Sequence, residues 1–165
     1  MIKKNFSKNF LINSSIVLLI FFFDRVSKMY IIYLDKKNLG SEIFSSKFLN
    51  LTLIWNEGIA FGLLSFGENF LYNSLTILIL IVIIVITFML INSEGIKKYS
   101  LLMILGGALS NVYDRIFYGA VPDFLDFHIS NFHWFIFNVA DVFISIGVIF
   151  MIFFELIDNN KEKNS

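Results

Sequence analysis

The order of apolar and polar positions divides this chain into long apolar runs separated by short charged segments. The run from Asn69 to Ser93 has no charged side chain, and a membrane-spanning helix needs about 20 mostly apolar residues. Three other runs are shorter, and each reaches that length only if the charged motif beside it belongs to the helix. The pattern therefore predicts an all-α membrane protein with four transmembrane helices, at residues 9–29, 69–91, 99–118 and 136–156.

A different periodicity marks the segment between the first two predicted helices. Apolar side chains at positions 49, 51, 53 and 55 alternate with Asn50 and Thr52, and a period of two is typical of a strand. We expect a small extracytoplasmic β element there, and an aromatic loop rich in Phe, His and Trp between the third and fourth helices. Since no internal repeat or linker interrupts the chain, residues 1–165 are predicted to form a single domain.

The composition supports a membrane protein and excludes other classes. Hydrophobic residues make up 57% of the chain and charged residues 16%, whereas soluble domains are about a quarter charged. The net charge is zero, so no polycationic surface indicates nucleic acid binding. The absence of cysteine excludes disulfides, thiolate catalysis and Cys-ligated metals.

The N-terminal segment resembles a secretory signal because Lys3, Lys4 and Lys8 precede an apolar run. However, "DRVSK" follows that run where a cleavage site would have small residues, which predicts a retained first helix. Lysines at both ends of the chain and between the second and third helices lie on one side of the membrane. Because the first helix usually dominates orientation, both termini are predicted to be cytoplasmic.

The alternation of the predicted helices brings several polar residues to one membrane face, whatever the orientation. Asp24 lies near the end of the first helix, Asp114 near the end of the third and Asp141 near the start of the fourth. Ionisable residues within membrane segments are costly and usually functional, so this convergence is the main functional signal. Four further residues are expected at the same face: Asp123, Asn56, Trp55 and Trp134.

Several of these residues also have a structural explanation. Asp24 and Lys28 have the spacing of an ion pair on a helix, and Asp114 with Arg115 could form a packing network. The Gly106–Gly107 pair is most simply a close helix contact.

The aromatic loop predicts no metal site. His128 and His133 are five residues apart, and no third ligand is apparent in the sequence. Trp134 and its aromatic neighbours are typical of an interfacial belt. Asp126 is expected to be a solvated loop residue.

Asp123 and Asp141 are less easily explained by structure alone, because neither has an adjacent basic residue. A buried acid resists ionisation. Two such acids can share one proton, so that one activates a water and the other acts as an acid, as in aspartic proteases. The residues by themselves leave catalysis, proton relay and structural pairing open.

Five motifs together resemble the lipoprotein signal peptidases, also called signal peptidase II. They follow one another along nearly the whole chain: "DRVSK" at 24–28, "NEGIAFG" at 56–62, "GGALSNVYDR" at 106–115, "VPDFLDF" at 121–127 and "FNVADVFISIG" at 137–147. The resemblance implies an intramembrane aspartic endopeptidase of the bacterial inner membrane. Such enzymes remove signal peptides from diacylglyceryl-modified prolipoproteins, just before the lipidated cysteine.

The resemblance also implies roles for individual residues and partners. Asp123 and Asp141 would be the catalytic acids, with no metal and no cofactor. The implied partners are the lipidated prolipoprotein and membrane lipid, with a monomer as the expected state and the active site at the extracytoplasmic face. Substrate-binding roles would fall to Asn56, Asn111, Arg115 and Asn138, and structural support to Asp24, Lys28, Gly107 and Asp114.

The chain departs from the family pattern at three positions. Ser110 stands where glycine is frequent and Ile59 where alanine is common, and both changes are expected to affect packing. Pro122 replaces a β-branched residue before Asp123 and fixes the backbone there, but it leaves the carboxylate in place.

Two functions of other classes compete with a peptidase. A small proton-coupled transporter would also use membrane carboxylates, although a carrier needs them near the midplane rather than at one face. A non-enzymatic assembly factor that uses the aromatic loop would tolerate replacement of Asp123 and Asp141.

Overall fold

The computed structural model describes residues 2–58, 69–130 and 132–163 of the chain. Within them, four long helices are combined with a small antiparallel sheet. The helices are α1 (Ile2–Lys37), α2 (Asn69–Ile91), α3 (Gly95–Tyr118) and α4 (Val139–Lys163), and the strands are β1 (Phe44–Ser45), β2 (Leu49–Asn56), β3 (Val121–Ile129) and β4 (Phe132–Phe137).

Three segments of these helices are long and apolar enough to cross a membrane: Asn9–Lys37, Tyr72–Ile91 and Val139–Ile157. The third helix, α3, carries charged residues near both ends and does not reach the same apolarity. The first helix continues past residue 29, where the sequence pattern predicted its end. No glycine or proline interrupts this helix between Ile2 and Lys37. It ends where Leu39 and Gly40 adopt left-handed φ angles of 56° and 75°.

The third helix packs closely against helices on two of its sides because glycines replace side chains at the contacts. A Cβ on Gly106 would lie 2.9 Å from Cβ of Ile20 in α1. A Cβ on Gly107 would lie 2.5 Å from the carbonyl oxygen of Ala140 in α4. The predicted close helix contact at this glycine pair is therefore confirmed, and it brings the polar ends of three helices together.

The sheet has the strand order β1-β2-β3-β4, and every neighbouring pair is antiparallel. The strand predicted from the alternation at residues 49–55 is confirmed as β2. The prediction of an aromatic loop between α3 and α4 is wrong, since the chain forms the β3–β4 hairpin there. The sheet therefore extends beyond the segment between α1 and α2, to which the sequence confined it. Aromatic residues favour strands, but Pro122 and the acids of β3 obscured the pattern in the sequence.

Asp126 was expected to be a solvated loop residue, and that prediction is also wrong. It lies in β3 with only 7% of its surface exposed. Its carboxylate oxygens lie 2.8 and 3.0 Å from Nδ1 of His133 in β4. The hairpin provides a partner that the linear sequence did not reveal.

Candidate active site

Lys28 is a fully buried cation held between α1 and α3. Its Nζ donates hydrogen bonds to Asp114 Oδ2 at 2.7 Å and to Asn111 Oδ1 at 2.8 Å. The same atom lies 2.7 Å from Asp24 Oδ2, one helical turn earlier in α1. Because removal of a charge from water costs several kcal/mol, Lys28 is compatible with this position only when all three partners are present.

Arg25 completes this charge cluster, and sequence analysis assigned it no role. Its Nη2 donates to Asp114 Oδ2 at 2.6 Å, and its Nε donates to Ser110 Oγ at 3.1 Å. Two bases thus neutralise two acids. The signal was the adjacent "DR" pair in the first motif, at the end of the predicted first helix.

Ser110 is part of the same cluster rather than a packing residue. Its hydroxyl donates to Asp24 Oδ2 at 2.6 Å, and the side chain is fully buried. The sequence predicted an effect on packing for this departure from the family pattern, and the structure shows a polar contact that the sequence did not indicate. The hydroxyl gives both Asp24 and Arg25 a hydrogen-bonding partner where a glycine would give none.

The charge cluster also fixes the start of α4. Asp24 Oδ1 accepts a hydrogen bond of 2.8 Å from the backbone N–H of Ala140. The first N–H groups of a helix have no partner within the helix, and a carboxylate there also interacts favourably with the helix dipole. Asp24 therefore positions the turn that carries Asp141.

Asn138 is the residue that joins the two candidate acids. Its Oδ1 accepts from the N–H of Asp141, and Asp141 Oδ2 accepts from the N–H of Asn138, each at 3.1 Å. This reciprocal pair is a capping box. The side-chain amide of Asn138 donates to Asp123 Oδ1 at 2.6 Å, so one side chain orients both carboxylates.

Two further asparagines hold the outer oxygens of the acids. Asn111 Nδ2 donates to Asp141 Oδ1 at 2.8 Å, and Asn56 Nδ2 donates to Asp123 Oδ2 at 2.9 Å. Asn56 is itself oriented by the N–H of Gly58, which donates to its Oδ1 at 3.0 Å. A continuous set of hydrogen bonds thus runs from the buried charge cluster through Asp141 to the sheet.

The two acids face a common cavity of about 330 Å³. Arg115 also lines it, and its buried Nε has no hydrogen-bond partner among the described residues. The guanidinium is therefore an available donor at the cavity wall. The other lining residues are Asn56, Gly58, Leu75, Phe135, Ile136, Phe137, Ile144 and Ser145.

The polar residues singled out in the sequence are thus brought together by α1, α3, α4 and the sheet. Asp24, Lys28 and Asp114 form the charge cluster, and Gly107 permits the close contact between α3 and α4. Residues 59–62 of the second motif, including Ile59, lie outside the described residues. Trp55 and Trp134 are 42% and 61% exposed, on the surface of the sheet.

Burial raises the pKa of Asp123 from its ordinary value of 3.8 to about 6. The hydrogen bond from Asn56 opposes this shift in pKa, the charge of Asp141 adds to it, and Asn138 and Lys28 oppose it. Near neutral pH, Asp123 can therefore carry a proton in the cavity that it shares with Asp141.

The geometry can be compared with known proteins. A sequence model of the family described as Signal peptidase (SPase) II matches residues 16–157. The chain belongs to the signal peptidase II family. The resemblance inferred from the five motifs is confirmed.

Individual members of the signal peptidase II family are similar over most of their length. The lipoprotein signal peptidase of Pelagibacter ubique is 52% identical over 157 residues, which cover 95% of each chain. That of Paraburkholderia phytofirmans is 36% identical over 143 residues, 86% of this chain and 82% of its own. A solved structure described as a bacterial membrane enzyme has a TM-score of 0.72 at 33% identity, covering 87% of this chain and 92% of its own.

Membership in the signal peptidase II family identifies the chain as an aspartic peptidase. The proton-coupled transporter and the non-enzymatic assembly factor, which the residues alone left open, are therefore set aside. Membership in a family of membrane enzymes also explains why apolar helices surround a cavity that holds two acids.

Replacement of Lys28 by Met is expected to lower the stability by about 3–5 kcal/mol, because Asp24 and Asp114 lose a cation they share. Thermal unfolding in detergent would measure the effect, with Lys36→Met, an exposed lysine of the same helix, as the matched control. An unchanged melting temperature for Lys28→Met would contradict the assigned role of the cluster.

The raised pKa of Asp123 predicts a pH-dependent loss of stability. Its folded pKa of about 6 lies above the ordinary value of 3.8, so the folded state binds more protons and stability falls as pH rises through this window. The loss is at most about 3 kcal/mol and is complete above the folded pKa. Melting temperatures at pH 4.5 and 7 should differ more for the wild type than for Asp123→Asn, and equal differences would refute the prediction.

Proposed function

We propose that this chain is a lipoprotein signal peptidase in which Asp123 and Asp141 form the catalytic pair. The observation that carries the proposal is that Asn138 binds both carboxylates while each also lines one cavity. Two acids oriented in this way can hold one proton and one water between them.

The two acids differ in what favours their charge. Asp141 lies in the first turn of α4, where the helix dipole favours an anion, and Asn111 connects it to Lys28. Burial raises the pKa of Asp123 to about 6, so this acid can carry the proton near neutral pH. We therefore assign Asp141 as the general base and Asp123 as the general acid.

The reaction that follows needs no group beyond these acids and water. Asp141 takes a proton from the water while the water oxygen bonds to the scissile carbonyl carbon. Asp123 gives its proton to the carbonyl oxygen. The resulting gem-diol then collapses: Asp141 returns its proton to the amide nitrogen, the C–N bond breaks, and a hydroxyl proton of the gem-diol goes back to Asp123. Both acids end in their starting states.

The substrate peptide would be held by the polar wall of the cavity. Arg115 Nε has no hydrogen-bond partner in the described part of the chain and is suited to a backbone carbonyl of the substrate. Asn56, Asn111 and Asn138 keep the acids oriented. The remaining lining is largely apolar and would accept acyl chains beside the scissile bond. We therefore propose a diacylglyceryl-modified cysteine directly after the cleaved bond.

The membrane arrangement is proposed from the same elements. All four helices cross a bacterial inner membrane, α3 being covered by α1 and α4 at Gly106 and Gly107. The sheet then lies at the extracytoplasmic face with the active site, and both termini are cytoplasmic. We expect the enzyme to act as a monomer, in contact with membrane lipid, and without nucleic acid or a cofactor.

The test of the catalytic pair is cleavage of a diacylglyceryl-modified prolipoprotein by purified protein in detergent. Asp123→Asn and Asp141→Asn should each lower kcat at least about 100-fold, because each removes one proton-transfer group. Asp35→Asn, on the same helix as the charge cluster but without an assigned role, serves as the carboxylate control. Undiminished cleavage by either active-site variant would sink the assignment.

The substrate class is tested separately with the unlipidated precursor. Slower cleavage of this precursor, measured as kcat/KM, supports recognition of the acyl chains. Equal rates for the two precursors would rule out a requirement for the lipid while leaving the catalytic pair intact.

The proposed orientation can be read from single cysteines, because the natural chain contains none. Ser41→Cys, before the sheet, should react with a membrane-impermeant maleimide on intact spheroplasts. Asn92→Cys, between α2 and α3, should react only after the membrane is permeabilised. The reverse pattern of labelling would invert the proposed topology.

A further inference from the structure

The β3–β4 hairpin carries a cluster of metal-ligating side chains that the peptidase mechanism does not use. His128 of β3 pairs directly with His133 of β4, and their rings stack with centroids 5.0 Å apart. Asp126 lies two residues before His128, and side chains two apart in a strand share a face. Its carboxylate contacts Nδ1 of His133 at 2.8 Å.

The positions of the ligand atoms are close to those a metal ion would require. One ligand atom from each of Asp126, His128 and His133 can be chosen so that all three lie within 4.8 Å of one another. A tetrahedral Zn²⁺ with ligands at about 2.0–2.2 Å holds them about 3.4 Å apart. Side-chain rotations that move the ligand atoms by about 1 Å would therefore complete the geometry.

The polar groups of the cluster are incompletely paired. His128 Nδ1 is buried and has no hydrogen-bond partner among residues 2–58, 69–130 and 132–163. A buried polar atom without a partner is costly, and coordination through this nitrogen would satisfy it. Asp126 supplies the negative charge, and its side chain is only 10% exposed.

The cluster is also accessible. The side chain of His133 is 52% exposed, which gives an ion a path from water and leaves a coordination position for a water molecule. Imidazole and carboxylate ligands suit Zn²⁺ and neighbouring transition metals better than Mg²⁺ or Ca²⁺, which prefer oxygen-only sites.

We propose that Asp126, His128 and His133 form a transition-metal site, suited to Zn²⁺, that clamps the β3–β4 hairpin. None of the three lines the cavity with Asp123 and Asp141, whereas Phe135, Ile136 and Phe137 of β4 do. The ion therefore stabilises the strand pair that forms one wall of the cavity and takes no part in the reaction. Sequence analysis predicted no metal site because the third ligand becomes adjacent only when the hairpin forms.

The experiment uses the full chain in detergent, purified with an affinity tag free of histidine and stripped with a chelator. Titration with Co²⁺ should give one bound ion per chain with the visible absorption of a tetrahedral site. Competition against a chromophoric chelator then gives the Zn²⁺ affinity. His128→Gln, His133→Gln and Asp126→Asn should each weaken it at least about 10-fold, because loss of a direct ligand costs no less than loss of an outer partner.

Glu42→Gln removes an exposed carboxylate before the sheet and should bind metal like the wild type. Equal Zn²⁺ affinity in a double His128→Gln, His133→Gln variant, which has no histidine left, would overturn the proposal. So would fewer than one Co²⁺ per wild-type chain.

A second measurement does not depend on the folding of any variant. Zn²⁺ should raise the melting temperature of the wild type, since a ligand that binds only the folded state stabilises it, and Mg²⁺ should not. No difference between the two ions would also overturn the proposal. Since neither readout involves cleavage of a prolipoprotein, failure of the metal site leaves the assignment of the catalytic pair untouched.

Discussion

The structure depends on a buried cation. Lys28 is enclosed by Asp24, Asp114 and Asn111. Asp24 lies one turn earlier on α1, whereas Asp114 and Asn111 lie on α3 and reach Lys28 only when α3 packs against α1. A lysine without these partners would lose its hydration and gain nothing in return. The arrangement of α1 against α3 is therefore specified by charge as well as by packing, and Arg25 makes the cluster electrically neutral.

The same cluster extends into the site through hydrogen bonds rather than through further charges. Asp24 binds the start of α4. Asn111 accepts a hydrogen bond from Lys28 and donates one to Asp141, and Asn138 hydrogen-bonds both Asp141 and Asp123. Amide side chains are suited to this purpose because each donates at one end and accepts at the other. The acids are thus oriented before any substrate arrives, which is the condition for efficient proton transfer. Burial of Asp123 costs stability, and this is a common feature of active sites.

Sequence analysis recovered those features that depend on local pattern or on motif identity. The apolar runs located the helices, the alternation at residues 49–55 located β2, and the order of five motifs identified the family. It missed the β3–β4 hairpin, the burial of Asp126 and the polar role of Ser110. Ser110 was missed because its partners lie in α1, far away along the chain. The β3–β4 hairpin is local, and Asp126 meets His133 only seven residues away, but Pro122 and the acids of β3 obscured the strand pattern.

What the sequence by itself determined is the list of side chains and the elements that carry them. Apolar periodicity depends on neighbouring residues, so it is readable without a fold, and the alternation of helices already indicated that Asp24, Asp114 and Asp141 share one face. Only the tertiary structure decided which donor meets which acceptor. A hydrogen bond requires its atoms within about 3 Å, and the approach of α3 to α4 at Gly107 that brings Asn111 to Asp141 is a property of the packed bundle.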